Sequence, residues 1–174
     1  MFSFLKRWRD GGGGGGGMTN EEIARRFERL ALLLEIRGDD RYRVRSYRNA
    51  AETIVTWPTP LRKIAEEEGI KGLQTIPGVG KAISGKIVEL LERGTFEAWE
   101  KLIEETPATA LDLLKVERVG LKTAAALYQQ FKISSLDDLH KFAEGGGLDL
   151  LDGVAEKTAE RIRASAKKLA GGGR

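Results

Sequence analysis

The stretch LQTIPGVGKAISGKIVELLERG, residues 73–94, places a tight turn directly before an amphipathic helix. Gly78 and Gly80 follow a proline, and the apolar residues after them recur at helical spacing, as Ile83 and Ile87 show. Glycine lets the backbone form a hairpin and approach a ligand closely, because it has no Cβ. The N–H groups and the positive end of the following helix suit a phosphate. The stretch therefore predicts either a plain connection between two helices or a phosphate-binding hairpin.

Two later stretches repeat this pattern in weaker form, VERVGLKTAAALYQQF from residue 116 and LDGVAEKTAERIRASA from residue 151. The second has Arg118 in place of the first glycine and keeps Gly120, whereas the third keeps Gly153 and has Ala155 in place of the second glycine. We rank the three hairpins as phosphate binders in chain order, and the side chain of Arg118 is long enough to reach a phosphate itself. The alternative for the second and third is an ordinary helix-turn-helix packing unit. Recurrence at this spacing predicts repeated supersecondary units.

The rest of the body predicts helices and no strands. Thr19 and Glu22 have the spacing of a capping box, Pro58 and Pro60 interrupt the chain, and Gly94 is a suitable helix end. No segment alternates apolar and polar residues over strand length, so the fold class is all-α. Helices are predicted over residues 19–37, 42–56, 60–68, 80–93, 96–105 and 155–169. The third of these should end at Gly69, and the fifth should be capped by Thr95. Two more helices are predicted, one that starts at Thr106–Pro107 and one that follows Ser135 and ends at about Glu144.

The composition excludes several classes of site. The 174 residues contain no cysteine and a single histidine, His140, so disulfides, thiolate metal sites and histidine clusters are excluded. No apolar run approaches the ~18 residues of a membrane span. The net charge is +3, but residues 1–10 and Arg174 supply it, so the body is close to neutral. Any binding to nucleic acid must therefore depend on local patches and backbone amides.

The chain is predicted to have two helical domains between two dissimilar ends. Residues 1–17 are a leader and a glycine linker that we expect to be disordered, since a glycine run has no packing ability. The first domain spans 18–94, the second spans 95–170 with the two weaker hairpins, and 171–174 form a tail. The leader has two interpretations, a fusion remnant or a short amphipathic anchor for a membrane surface through residues 1–9.

Stretches of the sequence longer than these motifs support a resemblance to a known family. The sequence MTNEEIARRFERLALLLEIRGDDRYRVRSYRNAAETI, then IPGVGKAISGKI and the later hairpins, resembles the N-terminal lyase-like and helix-hairpin-helix region of the DNA polymerase X family, of the polymerase beta-like bacterial type. The resemblance covers about residues 18–169. It implies a tandem helix-hairpin-helix array that binds gapped, nicked or 5′-phosphorylated DNA without sequence specificity in base excision repair, and a cytoplasmic, nucleoid-associated location in a bacterium.

The resemblance also implies a reactive lysine. In some members a lysine after the first hairpin forms a Schiff base with the abasic sugar, and on the motif it falls on Lys86. Tyr47 would flank this lysine. Partial burial favours the neutral amine that such a nucleophile needs, whereas the alternative is a lysine that merely snorkels at a core margin. Two family positions differ here, Ala82 for a second lysine and Gly85 for an acid, which leaves Glu89 as the nearest carboxylate for proton transfer.

The remaining site residues are implied by the same resemblance. The DNA contacts would be Arg43, Arg48, Gly78, Val79, Gly80, Lys81, Arg118, Gly120 and Lys122. Members of the family also bind a monovalent cation, Na⁺ or K⁺, through main-chain carbonyls, which here would be those of Gln74, Ile76 and Val79 and of Leu114, Val116 and Val119. No other cofactor is expected.

The residues for nucleotidyl transfer are missing. Two-metal catalysis needs clustered carboxylates, and the chain has no Asp-x-Asp pair and no predicted sheet to carry one. This chain is therefore not expected to be a polymerase by itself. Three hypotheses remain: a DNA-binding module with 5′-deoxyribose-phosphate lyase activity at Lys86, a non-catalytic DNA-binding scaffold, and a helical protein-interaction module. Protein partners are not predicted.

Overall fold

The computed structural model describes residues 17–172, and the regular structure in this range is entirely helical. The all-α prediction is therefore confirmed. No helix within 17–172 is long and apolar enough to cross a membrane. The predictions for the leader, for the membrane anchor and for the last two residues lie outside the described range. The α-helices are α1 Asn20–Arg37, α2 Arg41–Thr56, α3 Leu61–Leu73, α4 Lys81–Arg93, α5 Glu97–Glu105, α6 Leu121–Phe131, α7 Leu136–Glu144 and α8 Glu156–Gly171, with 3₁₀ helices over Ala108–Lys115 and Gly147–Leu150.

The chain divides into two compact units that are not continuous in sequence. The first unit comprises the described part of Met1–Leu30 together with Arg45–Lys101. The second comprises Ala31–Val44 and the described part of Leu102–Arg174. The domain boundary after residue 94 stays a prediction.

An aromatic stack lies at the centre of the first unit. The ring of Phe27 stacks on that of Tyr47 at 6.1 Å and on that of Phe96 at 5.6 Å, and Phe27 is fully buried. The apolar face predicted for α4 is buried with them, including Ile87 and Leu90. Burying a large apolar side chain contributes roughly 1.5–3 kcal/mol, so this cluster holds α1, α2 and α4 together.

Polar side chains define where the helices begin. At the start of α1, the N–H of Glu22 donates to the Thr19 hydroxyl at 3.1 Å and the N–H of Thr19 donates to the Glu22 carboxylate at 3.0 Å. This reciprocal pair is the predicted capping box. Ser135 likewise accepts from the N–H of Asp138 at 3.0 Å and begins α7 as predicted.

Of two predicted helix boundaries, the break at Gly69 is confirmed and the cap at Thr95 was wrong. The φ of 71° and ψ of −161° at Gly69 are not helical and divide the span Leu61–Leu73 into two helical pieces. At the start of α5, the N–H of Glu97 donates to the carboxylate of Glu89, one helix earlier, at 2.9 Å. Glu89 therefore caps this helix in place of Thr95. A carboxylate is a stronger acceptor than a hydroxyl and favours the positive end of the helix.

The second unit packs around small and aliphatic side chains. Leu113, Leu127, Leu139 and Ile162 are completely buried, and α7 packs along α8. A buried polar pair lies among them, because the hydroxyls of Thr106 and Tyr128 are hydrogen-bonded at 2.9 Å. Pairing the two hydroxyls removes the cost of burying either one alone.

Candidate nucleic-acid interface

The three hairpins share one unusual backbone conformation. Gly78, Arg118 and Gly153 occupy the same turn position and have left-handed φ angles of 84°, 68° and 77°. Only glycine adopts this region without strain, so two of the three copies use the expected residue. The shared conformation confirms that the three sequence copies form equivalent turns, including the second copy, which has Arg118 in place of glycine.

Hydrogen bonds repeat across the hairpins as well. The N–H of Val79 donates to the carbonyl of Ile76 at 3.0 Å, and that of Val119 donates to the carbonyl of Val116 at 3.1 Å. Both valines are buried, so they anchor their turns. In each copy the residue before the next helix accepts its first helical hydrogen bond at 2.9 Å, through the carbonyls of Gly80, Gly120 and Ala155.

The helices that follow the hairpins begin without side-chain caps. Gly80, Gly120 and Ala155 are the N-cap residues of α4, α6 and α8, all with extended backbone and no side-chain hydrogen bond. The first N–H groups of a helix have no partner within the helix. At these three helix starts the first N–H groups therefore have no side-chain acceptor. They form the positive end of the helix dipole, where an anion is favoured.

Gly80 and Gly120 are not required by the packing of the protein. Their φ angles are −89° and −91°, which any residue can adopt. A Cβ built on either glycine would meet no atom within 4 Å. The space in front of these two helix starts is open to a ligand, whereas Ala155 fills the equivalent space at the third hairpin with its own Cβ.

Charged side chains distinguish the third hairpin from the first two. Lys81 and Lys122 are exposed in the first turns of α4 and α6. At the third hairpin, Asp152 in the turn and both Glu156 and Lys157 in the first helical turn are exposed, and the second hairpin has an exposed Glu117 at the position of Asp152. A carboxylate beside a helix start competes with a phosphate for the same amides. The third hairpin therefore differs from the first two by Glu156 at the first position of its helix and by the Cβ of Ala155, and its lower rank as a phosphate site stays a prediction.

The second hairpin is held by the last helix. The N–H of Glu117 donates to the hydroxyl of Ser165 on α8 at 2.9 Å, and the Glu117 carboxylate lies 3.4 Å from Arg161. Arg118, the next residue, is exposed and has no ion-pair partner in the described range. Its guanidinium is available to a ligand in front of α6.

Lys86 and Tyr47 are brought together as predicted from the resemblance. The Nζ of Lys86 lies 5.7 Å from the centroid of the Tyr47 ring, on α4 and α2 respectively. Tyr47 is buried and stacks on Phe27, whereas Lys86 is half-buried. The contact is a cation–π interaction that fixes the amine at the edge of the aromatic stack. Its role in catalysis stays a prediction.

The carboxylate of Glu89 is engaged at the start of α5. Its carboxylate accepts from the N–H of Glu97 and lies 3.5 Å from Arg93. This structural role competes with its predicted role in proton transfer. Around Lys86, Gly85 leaves open space, since a Cβ there would meet no atom within 4 Å.

The arginines of α2 differ in their surroundings. Arg43 is exposed and lies 3.4 Å from the Asp39 carboxylate, which also accepts from Arg37. Burial raises the pKa of Asp39, but the hydrogen bonds from Arg37 and from the N–H of Asp40, with the charges of both arginines, lower the pKa below its ordinary 3.8. Arg48 is half-buried. Both arginines remain predicted DNA contacts.

The predicted cation sites consist of main-chain carbonyls at the two hairpins. The carbonyls of Ile76 and Val116 each accept one hydrogen bond inside the turn, from Val79 and Val119. A carbonyl has two lone pairs, so each retains one for a cation. Within residues 17–172 no group of three or more His, Asp or Glu side chains could hold a metal ion.

The sequence did not predict a cleft on the first unit where arginines meet Trp99. Arg29 of α1 lies over the indole ring at 5.2 Å. The available signal was Arg26 and Arg29, which lie three residues apart and so share a helix face. Nothing in the sequence placed Trp99 against them.

Comparisons with known proteins fit this arrangement. Residues 18–96 match the family "Helix-hairpin-helix domain", and residues 110–168 match the family "SAM-like Helix-hairpin-helix tandem". The chain is similar to the DNA polymerase/3′-5′ exonuclease PolX of Bacillus subtilis, with 26% identity over 145 residues, and to DNA polymerase lambda of Rattus norvegicus, with 27% identity over 124 residues. These matches cover 83% and 71% of this chain but only 24% and 20% of the two relatives.

Proposed function

Because this chain carries two helix-hairpin-helix regions and is homologous to X-family DNA polymerases over most of its length, we propose that it binds DNA in repair, at gaps, nicks or 5′-phosphate ends. The observation that carries the proposal is the pair of open helix starts at Gly80 and Gly120. Each presents uncapped N–H groups with room for a phosphate. Contacts of this kind position a protein on the DNA backbone and carry no sequence information.

Gapped DNA with a 5′-phosphate is the ligand for the test. Gly80→Ala and Gly120→Ala place a methyl group where the phosphate would approach, and the packing of the protein does not oppose either change. A hydrogen bond to a charged group contributes ~1.5–3 kcal/mol, so each variant should bind about tenfold more weakly with an unchanged melting temperature. Gly171→Ala, at another open glycine, is the control and should bind as the parent does.

The same binding measurements also distinguish DNA binding from the alternative function, a helical protein-interaction module. Affinity should fall as salt rises, because phosphate contacts release counterions. Undiminished affinity in both alanine variants would contradict the hairpin proposal. If the parent chain shows no salt-dependent binding to gapped DNA at all, a helical protein-interaction module is the better description.

We further propose that Lys86 acts as a 5′-deoxyribose-phosphate lyase nucleophile. The support is its position at the edge of the buried Tyr47 ring, which holds the amine half-buried and oriented. The amine would add to the C1′ aldehyde with loss of water. The resulting iminium makes the C2′ proton acidic, and its loss to a base or to water would break the C3′–O bond and leave a 5′-phosphate on the DNA. Hydrolysis of the remaining imine would then release the unsaturated sugar and free Lys86.

Borohydride trapping tests the lyase. Incubation with 5′-incised abasic DNA and borohydride should give a covalent adduct that disappears in Lys86→Ala and persists in Lys63→Ala, which removes an exposed lysine of α3 in the same unit. An adduct that survives Lys86→Ala would exclude Lys86 as the nucleophile. If no adduct forms although gapped DNA is bound, the chain is a DNA-binding scaffold without lyase activity.

A further inference from the structure

A shallow cleft on the first unit combines two arginines with an aromatic wall. It holds about 200 Å³ of space open to solvent and is lined by Arg26, Arg29, Leu90, Thr95, Phe96 and Trp99. The guanidinium of Arg29 lies 5.2 Å from the centroid of the Trp99 ring, and the buried Phe96 is fixed by its stack on Phe27. The cleft is therefore a firm, partly apolar surface with room for the tip of one side chain.

The cleft has an uncompensated positive charge. Arg26 and Arg29 lie three residues apart on one face of α1, and both are half-buried. No carboxylate lines the cleft, and within residues 17–172 neither arginine has an acid within ion-pair distance. Glu97 and Glu100 of α5 form their ion pairs with other cations. A partner that fits the cleft therefore carries both an apolar tip and negative charge.

The third hairpin presents this combination at residues 148–152, which we call the Leu150 turn. Leu150 is 65% exposed, whereas Leu148 and Leu151 are buried, and the N–H of Leu151 donates to the carbonyl of Leu148 at 3.2 Å. Asp149 and Asp152 are exposed and have no ion-pair partner in the described part of the chain. The turn thus holds an apolar side chain and two carboxylates in place before any partner binds, which lowers the cost of association.

The two other large apolar side chains that are exposed in the described chain fit the cleft less well. Tyr42 is 82% exposed, but it lies between Arg41 and Arg43, whose charges would be repelled by the arginines of the cleft. Val55 is 48% exposed, the least of the three, and its side chain is shorter than that of leucine. Of the three, Leu150 alone combines an exposed apolar tip with adjacent negative charge.

From these observations we propose that the Leu150 turn of one copy of this chain docks in the cleft of a second copy. Leu150 packs against the ring of Trp99, and the two aspartates of the turn pair with the two arginines. Arginine suits both contacts, because its planar fork binds carboxylates and stacks on aromatic rings. Each copy has one turn and one cleft, so the contact is heterologous and builds open chains of molecules unless it closes into a ring.

Sedimentation of the full chain without DNA tests this contact. The average mass should rise with concentration between about 10 μM and 1 mM, since a contact this small is weak. Leu150→Ala and Arg26→Glu should each weaken assembly about tenfold, and added salt should weaken it as well. Val55→Ala and Arg25→Ala, at an exposed valine and an exposed arginine outside the contact, are the matched controls and should assemble as the parent does.

Mixing the two variants distinguishes this contact from a symmetric one. Arg26→Glu keeps the Leu150 turn, and Leu150→Ala keeps the cleft. At a concentration where neither variant assembles alone, an equimolar mixture should form a dimer of one copy of each that does not grow further. Both variants should retain the melting temperature of the parent, because neither side chain is buried.

Three results would overturn the proposal. One is a mixture that stays monomeric although the parent assembles, and another is assembly that is as strong in both variants as in the parent. The third is a parent chain that stays monomeric over the whole concentration range. That result overturns self-association even if Leu150→Ala alters the emission of Trp99, because the turn would then act within its own chain.

Discussion

At the scale of single residues, Arg118 adopts a turn conformation for which glycine is the usual residue. Its φ of 68° is the conformation for which the first and third hairpins use glycine. A non-glycine residue there costs ~1–2 kcal/mol, because its Cβ crowds the backbone. The turn persists because its neighbours hold it, with the N–H of Glu117 bonded to Ser165 and Val119 buried.

Arg118→Gly should therefore stabilise the protein. Relief of the strain is partly offset by the greater freedom of glycine in the unfolded chain, which leaves a net gain of about 0.5–1 kcal/mol in the free energy of unfolding. Urea denaturation measures the gain, and Arg118→Ala, which keeps the Cβ, should not show it. If the glycine variant is also weaker in binding gapped DNA, the arginine contacts phosphate. A loss of stability would contradict the strain argument.

Asp39 makes a pH-dependent contribution to the free energy of unfolding, also at the scale of a single residue. Its pKa is lowered in the folded protein, despite burial, by the hydrogen bond from Arg37 and by Arg43. A carboxyl with a lowered folded pKa stabilises the protein above its unfolded pKa of ~3.9, and that stabilisation is lost as the pH falls through the folded value. Asp39→Asn should cost roughly 1–2 kcal/mol at pH 7 and much less at pH 3.

Urea denaturation of both proteins at the two pH values checks this. Glu104→Gln, which neutralises an exposed acid in the same unit, should stay close to the parent at both. An Asp39→Asn penalty that is as large at pH 3 as at pH 7 would show that the side chain stabilises through shape or neutral hydrogen bonds, not through its charge.

At the scale of elements, Glu89 couples two helices. It lies on α4, and its carboxylate accepts the first N–H of α5 at 2.9 Å. Glu89→Ala should cost about 1 kcal/mol, the usual loss when a helix cap is removed. Thermal unfolding measures it, with Glu92→Ala, an exposed acid on the same helix, as the control.

The conservative variant separates the two roles of this residue. Glu89→Gln retains an acceptor oxygen and should keep most of the stability. If it also forms lyase product at the parent rate, the predicted role in proton transfer is excluded. A Glu89→Ala variant as stable as Glu92→Ala would instead show that the cap contributes nothing.

Sequence patterns predicted the helices and turns better than they predicted which distant residues are in contact. Apolar spacing and local turn chemistry located the helices and all three hairpins, because both depend on neighbours in sequence. The break at Gly69 was predicted because it depends on the conformation of one glycine, whereas the cap at Thr95 was misjudged because the carboxylate of Glu89, from the preceding helix, takes the place of the local hydroxyl. The Arg29–Trp99 cleft was missed for the same reason, since it joins residues seventy positions apart. Lys86 beside Tyr47 was predicted only through family resemblance.

At the scale of the whole molecule, the two open hairpins belong to different units. The first unit contains Gly80 and the second contains Gly120. If one gapped DNA engages both, the second contact is intramolecular, and affinity exceeds that of either hairpin alone. If each unit binds separately, the chain instead has two independent sites.

Stoichiometry and the double variant distinguish these arrangements. Gly80→Ala and Gly120→Ala should each lower affinity for gapped DNA about tenfold. If calorimetry gives one gapped DNA per chain and the double variant loses about a hundredfold, one DNA engages both hairpins, since distant contacts to one ligand add in free energy. Independent sites would give two DNA molecules per chain, and each single variant would remove one site and leave the affinity of the other unchanged. Gly171→Ala controls for substitution of an open glycine. Two DNA molecules per chain would therefore rule out a gap held jointly by both units.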